Sequence, residues 1–119
     1  MKIAAALLLC TLGLLPAQER EGNFNIRFEP TAKLQTGVQV PFQITVTDAL
    51  RKPLLNAKVT LQIELADHTQ TKVFPAPATD PGVYVAKPVF PVSGEWTVYV
   101  EVRHDDQMSN RTIQFTVAQ

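Results

Sequence analysis

The sequence predicts an all-β domain: a sandwich of about seven short antiparallel strands behind a cleaved leader. Three observations predict it. Apolar and polar residues alternate with period two along most of the chain. Clusters of Gly, Pro, Asn, Asp and Ser separate the alternating segments at short intervals. No window after the leader carries a helical stripe. Successive strand side chains point to opposite faces, so alternation gives each segment one dry and one wet side. Antiparallel sheets with one solvated face have this pattern, and doubly covered parallel sheets do not.

The first segment stands apart. "MKIAAALLLCTLGLLPAQ" has a basic start at Lys2, an apolar run from Ile3 to Leu15 and small residues at Pro16-Ala17. It reads as a signal peptide over 1–17, cut after Ala17. As a helix the apolar run would span about 20 Å, short of the ~30 Å of a bilayer core. The mature domain, 18–119, is therefore expected outside the cytoplasm with no stable membrane insertion. Cys10 suggests lipidation only weakly, because Leu9 precedes it where a small residue is wanted. The remaining chain has no cysteine, so thiol chemistry and disulfides are excluded and stability must come from a hydrophobic core. The whole chain is formally neutral and loses one positive charge with Lys2. Scattered charges near neutrality leave no footprint for nucleic acid.

The elements follow in order. Arg20 to Asn23 reads as a frayed leader. Phe24, Ile26 and Phe28 make the first alternation, and Val40, Phe42, Ile44 and Val46 the second. "DALRKPLLNAK" starts like a helix, but Pro53 breaks it and it reads as a loop. Val59, Leu61, Ile63 and Leu65 form the third strand. Pro75 to Pro81 reads as a turn. "DPG", Asp80 to Gly82, feeds a strand with Tyr84 and Ala86 on one face; Pro88 makes it an edge or an end. Ser93-Gly94 turns the chain into the segment of Trp96, Val98, Val100 and Val102. Asp105 to Asn110 reads as the hairpin turn before Ile113, Phe115 and Val117. The expected core holds Phe42, Ile44, Val46, Val59, Leu61, Ile63, Trp96, Val98, Val100, Ile113 and Phe115. Trp96 opens a dry face, which favours packing between sheets over a stacking platform for a ligand.

Candidate chemistry is sparse. Ser109, His104 and Asp105 or Asp106 have the residue types of a triad. They share one turn, however, with nothing to hold a base between nucleophile and carboxylate. No catalytic residue is assigned, and an enzyme is not expected. "RHDDQM" places imidazole, carboxylates and thioether together, a donor mix that suits copper. His104 and Met108 supply two ligands, with His68 a distant third, so the candidate metal set is His68, His104 and Met108. The plainer reading is a polar turn and a loop histidine. "NRT" at 110–112 fits the glycosylation acceptor pattern, which matters only in a eukaryotic secretory pathway.

Two longer stretches, "VPFQITVTDALRKPLLNAKVTLQIEL" and "GVYVAKPVFPVSGEWTVYVEV", together resemble the YtkA-like domains, related to the FixH-like proteins. The matching residues are Val46-x-Asp48, Pro53, Ala57-x-Val59, Gly82-x-Tyr84 and Gly94-x-Trp96, and the resemblance runs from Val38 to Val117. It implies an immunoglobulin-like sandwich outside the cytoplasm. Several members of that family are associated with copper handling or cytochrome oxidase assembly. In those, methionines and a histidine stand before the Gly-x-Tyr strand. His68 matches the histidine, whereas Ala66, Thr69 and Gln70 stand where methionine is expected. Two functions result. One is an exported, non-enzymatic interaction module whose partner is another envelope protein and which needs no cofactor. The other is a copper-binding or metallochaperone domain.

Overall fold

The computed structural model describes residues 20–119. The leader, its cleavage bond and Cys10 lie outside the described residues. The strands are β1 (Arg20–Glu21), β2 (Asn25–Pro30), β3 (Phe42–Thr47), β4 (Lys58–Leu65), β5 (Thr71–Pro75), β6 (Ala78–Asp80), β7 (Val83–Ala86), β8 (Gly94–His104) and β9 (Gln107–Val117). They form two sheets, ordered β1-β9-β8-β4-β5 and β2-β3-β7-β6. Every pairing is antiparallel except β1 on β9, which is parallel.

The alternation dictates the core. Phe42, Ile44 and Val46 from β3 face Leu61 and Ile63 from β4 and Trp96, Val98, Val100 and Val102 from β8, all buried. Phe42 joins the sheets, with its ring 5.5 Å from Phe115, 6.3 Å from Phe28 and 6.3 Å from Phe90. Trp96 is 1% exposed and meets Phe90 edge-on at 5.3 Å. Its indole N–H donates to the Val92 carbonyl at 3.0 Å, which satisfies the one polar atom such packing would otherwise strand. This is the packing role expected of it.

Gly82-x-Tyr84 is a staple. Gly82 has φ +74, and a Cβ there would lie 2.7 Å from Pro53 Cβ and 3.0 Å from Val46 O, so only glycine lets the 48–57 loop lie flat on β3 and β7. Buried Tyr84 donates its hydroxyl proton to Leu54 O at 2.7 Å and accepts from the Ala57 N–H at 3.2 Å. Asp48 closes the start of the loop, with Oδ1 accepting from the N–H groups of Leu50 and Lys52.

Several expectations are corrected. Arg20–Glu21 is a strand rather than a frayed leader, because Gln107 and Met108 at the edge of β9 offer it a ladder. The hairpin turn is Asp105-Asp106 alone, and residues 107–110 already belong to β9. Pro75 to Pro81 is not one turn: β5 ends at Pro75, the chain crosses between sheets, and β6 begins at Ala78. Ile113 and Phe115 are half-buried, because β9 has a full neighbour on one side only. Val40, Tyr84, Phe90 and Val117 join the core in addition. The strand at Val83 is interior, between β3 and β6, and ends before Pro88.

Candidate functional site

The three candidate ligands occupy three separate environments. His68 sits in the β4–β5 turn at φ +63, a conformation that this tight connection imposes on it. Its Nδ1 lies 2.7 Å from Glu64 Oε2. That hydrogen bond, reinforced by the carboxylate charge, holds the exposed imidazole above its ordinary pKa. Neighbouring Asp67 accepts from the Thr69 hydroxyl at 2.6 Å and the Thr69 N–H at 2.9 Å, which lowers its pKa. The acid and the imidazole are both engaged in shaping the turn.

His104 closes β8 at the other end of the same sheet. The register fixes the separation: Leu65 faces Trp96 where β4 runs out toward His68, and Lys58 faces Arg103 where β8 runs out toward His104. At ~3.4 Å per residue those pairs stand about 24 Å apart. Metal–ligand bonds of ~2 Å cannot bridge it. His104 rests edge-on against the Phe24 ring at 6.0 Å, with its Nδ1 3.5 Å from Asp105 Oδ2.

Met108 diverges even from His104. Cross-strand partners share a face of the sheet. Met108 pairs with Arg103, while His104 pairs with Gln107, so imidazole and thioether stand on opposite faces. Met108 Sδ accepts a long hydrogen bond of 3.6 Å from Asn110 Nδ2. Among the described residues, no group of three or more His, Cys, Asp or Glu side chains is arranged to hold a metal.

The triad residue types fare similarly. Ser109 shares the face of Val102 and accepts the Phe24 N–H at 3.4 Å, while His104 packs on the Phe24 ring. Both side chains fasten the β1–β2 connection to the hairpin. On the outer face of β8, Tyr99 donates to Glu101 Oε1 at 3.1 Å, and partial burial followed by that carboxylate raises its pKa.

Two of the concave surfaces among the described residues lie beside the elements already discussed. One, of about 460 Å³, is mostly apolar and lies over Ala57, Val59, Pro75, Ala76, Pro77 and Tyr84, where the chain crosses between sheets. The other, of about 400 Å³, lies over Arg27, Glu29, Gln43 and Thr45 and is closed by Arg111. Arg111 reaches across from β9, and its Nη1–H donates to Ile26 O at 2.7 Å. Reading the sequence for reactive side chains passed over Arg111 and the edge of β9 that carries it. The available signal was a strand, "QMSNRTIQFTV", without proline, lysine or glycine.

A family model described as YtkA-like matches residues 17–101. No curated protein matches the chain. Among solved structures, the Lin-41 filamin domain is similar at 13% identity and a TM-score of 0.57, over 86% of this chain and 97% of that chain. The PKD domain of an M14-like peptidase from Thermoplasmatales archaeon SCGC AB-540-F20 is similar at 14% identity and a TM-score of 0.52, over 79% and 93%. Identities this low speak for fold alone, and the fold is an immunoglobulin-like sandwich.

Proposed function

The chain belongs to the YtkA-like family, and from that premise we propose that it is an exported, non-catalytic β-sandwich module that works by contacting another protein of the cell envelope. One observation carries the reading: among the described residues, the long strand β9 is an edge strand whose only strand neighbour on its outer side, β1, covers no more than Gln107 and Met108. Open edges are templates for another chain, and stable domains ordinarily blunt them. The dispersal of His68, His104 and Met108 supports the same reading over copper binding, because each is engaged locally and no two converge.

Photo-crosslinking residues placed singly at Thr112, Gln43, Lys72 and Leu50, all exposed, test it in the native host. Covalent adducts with one discrete envelope protein are expected from at least one position. Absence of adducts from all four would refute the interaction-module reading.

A further inference from the structure

The geometry points to a specific use of the β9 edge, resting on the interaction-module reading: it accepts an extended peptide segment of about seven residues as an added strand beside Asn110–Thr116. Both ends of the edge are clasped. Gly22 N–H donates to Met108 O at 2.8 Å. Thr36 N–H donates to Ala118 O at 3.0 Å, and Ala118 N–H to Leu34 O at 3.4 Å. Met108 and Ala118 therefore turn their backbone groups away from β8. β9 pairs with β8 residue for residue with no register shift. Backbone direction alternates along an uninterrupted strand. Asn110, Thr112, Gln114 and Thr116 must then turn outward as well. Among the described residues their outward N–H and C=O groups have no partner. Between the clasps the chain has left this sheet to form β2 in the other. The vacated lane spans about 20 Å at ~3.4 Å per residue.

The other edges are guarded. β5 carries Lys72 and ends in Pro75, and β6 has three residues between Pro77 and Pro81 with a register shift. β2 ends at Pro30, and its Ile26 carbonyl is already taken by Arg111. Lysine, proline, short length, irregularity and inward-pointing charge are the usual protections of an edge. Along its eleven residues β9 has only the last, in Arg111.

The occupant is a peptide rather than a second copy of this chain. Antiparallel pairing of two β9 strands across this lane brings Met108 of one copy opposite Ala118 of the other. Both positions already carry a clasp on that side, so two segments would claim one place. A looped or terminal segment of another protein meets no such obstacle. Its side chains must alternate. Those on the inner side lie beside Arg111, Ile113 and Phe115; those on the outer side lie beside Asn110, Thr112, Gln114 and Thr116. Ile113 and Phe115 are half-buried and gain from apolar cover. Arg111 is exposed and meets no carboxylate among the described residues. The fitting segment therefore has two apolar residues and one acidic residue on its inner face, with polar residues between them. Backbone pairing gives the affinity and alternate side chains the selectivity.

End-blocked Thr-Glu-Thr-Val-Thr-Val-Thr and its reverse, Thr-Val-Thr-Val-Thr-Glu-Thr, test this against the mature chain, one for each strand direction. We expect saturable binding of one of them, read by amide chemical shifts. The amides of Asn110, Thr112, Gln114 and Thr116 should exchange rapidly in the free protein and become protected in the complex. Lys in place of Glu should weaken binding about fivefold at low salt, as expected for a partly exposed ion pair of ~1 kcal/mol. Gln114→Pro removes an outward N–H that β8 does not use and should abolish binding. If that variant fails to fold, the pattern of amide protection in the unaltered protein decides alone. Binding of neither peptide, or protection confined to other strands, would overturn the lane. Crosslinks from Gln43, Lys72 or Leu50 with none from Thr112 would overturn the lane and leave the module reading standing.

Discussion

Tyr84→Phe removes one oxygen and keeps the ring, so core packing at β7 is preserved and only the loop staple is lost. Leu54 O, buried beneath the loop, loses its 2.7 Å partner, and the half-buried Ala57 N–H loses its 3.2 Å partner. Stranding a buried polar group costs about 1–3 kcal/mol. Two groups, one of them only half-buried, bring the sum to about 2–3 kcal/mol. That is a substantial share of the ~5–15 kcal/mol that stabilises an ordinary domain. For a domain of this size it lowers the melting temperature by roughly 10–20 °C, at ~4–8 °C per kcal/mol. Urea unfolding followed by Trp96 fluorescence measures it, with an unchanged m-value showing that the unfolded surface is the same. Amide exchange at 54–57 should accelerate more than exchange in β3. A loss under ~0.5 kcal/mol, the size of an ordinary surface change, would refute the claim that this hydroxyl holds the loop.

Trp96→Ala should cost about 3–5 kcal/mol in the same unfolding assay, because the indole fills the junction of Phe90, Leu65 and Phe115; an unchanged midpoint would mean an exposed ring. Gly82→Ala should cost about 2–4 kcal/mol, combining left-handed backbone with the clash against Pro53, whereas Gly37→Ala, at φ +80 in open space, should cost only ~1 kcal/mol; equal costs would remove the clash from the account. His68 should titrate above its ordinary value of 6.5 by NMR, and Glu64→Gln should lower it. Because the folded state raises this pKa, the pair favours folding below pH ~6.5 and its contribution disappears as pH rises through the folded value; a titration unmoved in Glu64→Gln would refute the pairing. Competition against a chelator should find no tight stoichiometric site for Cu(I) or Cu(II); a site abolished by His68→Ala or His104→Ala would contradict the separation of the two rings.

The strands that bury one face were legible because burial writes itself into period two. Phe42 to Val46, Val59 to Ile63 and Trp96 to Val102 are instances. β5 and β6 were not, because they lie at sheet margins with Thr71, Lys72, Val73, Ala78, Thr79 and Asp80 all exposed; with no dry face there is no alternation to read. Val73 even reads as core by type yet is 57% exposed. Phe90 was hidden for the opposite reason: it is fully buried but sits between Pro88 and Pro91, outside any strand. The histidines show where sequence spacing fails. His68 follows β4 and His104 ends β8, and because those strands are antiparallel neighbours their C-terminal ends lie at opposite ends of the sheet. The open edge of β9 depends on which strands β2 leaves and joins, a fact of topology that local composition does not encode.

The parallel set of β1 on β9 has a mechanical consequence. Arg20 lies beside Gln107 at one end of β9, and the chain leaves the other end through Ala118, which the 34–36 segment also joins in parallel. Tension between residues 20 and 119 therefore draws these segments lengthwise past one another. The bonds at Met108 and Ala118 lie across that pull, so they resist in shear and yield together instead of peeling one at a time. Forced unfolding is governed by the height of such a barrier rather than by equilibrium stability.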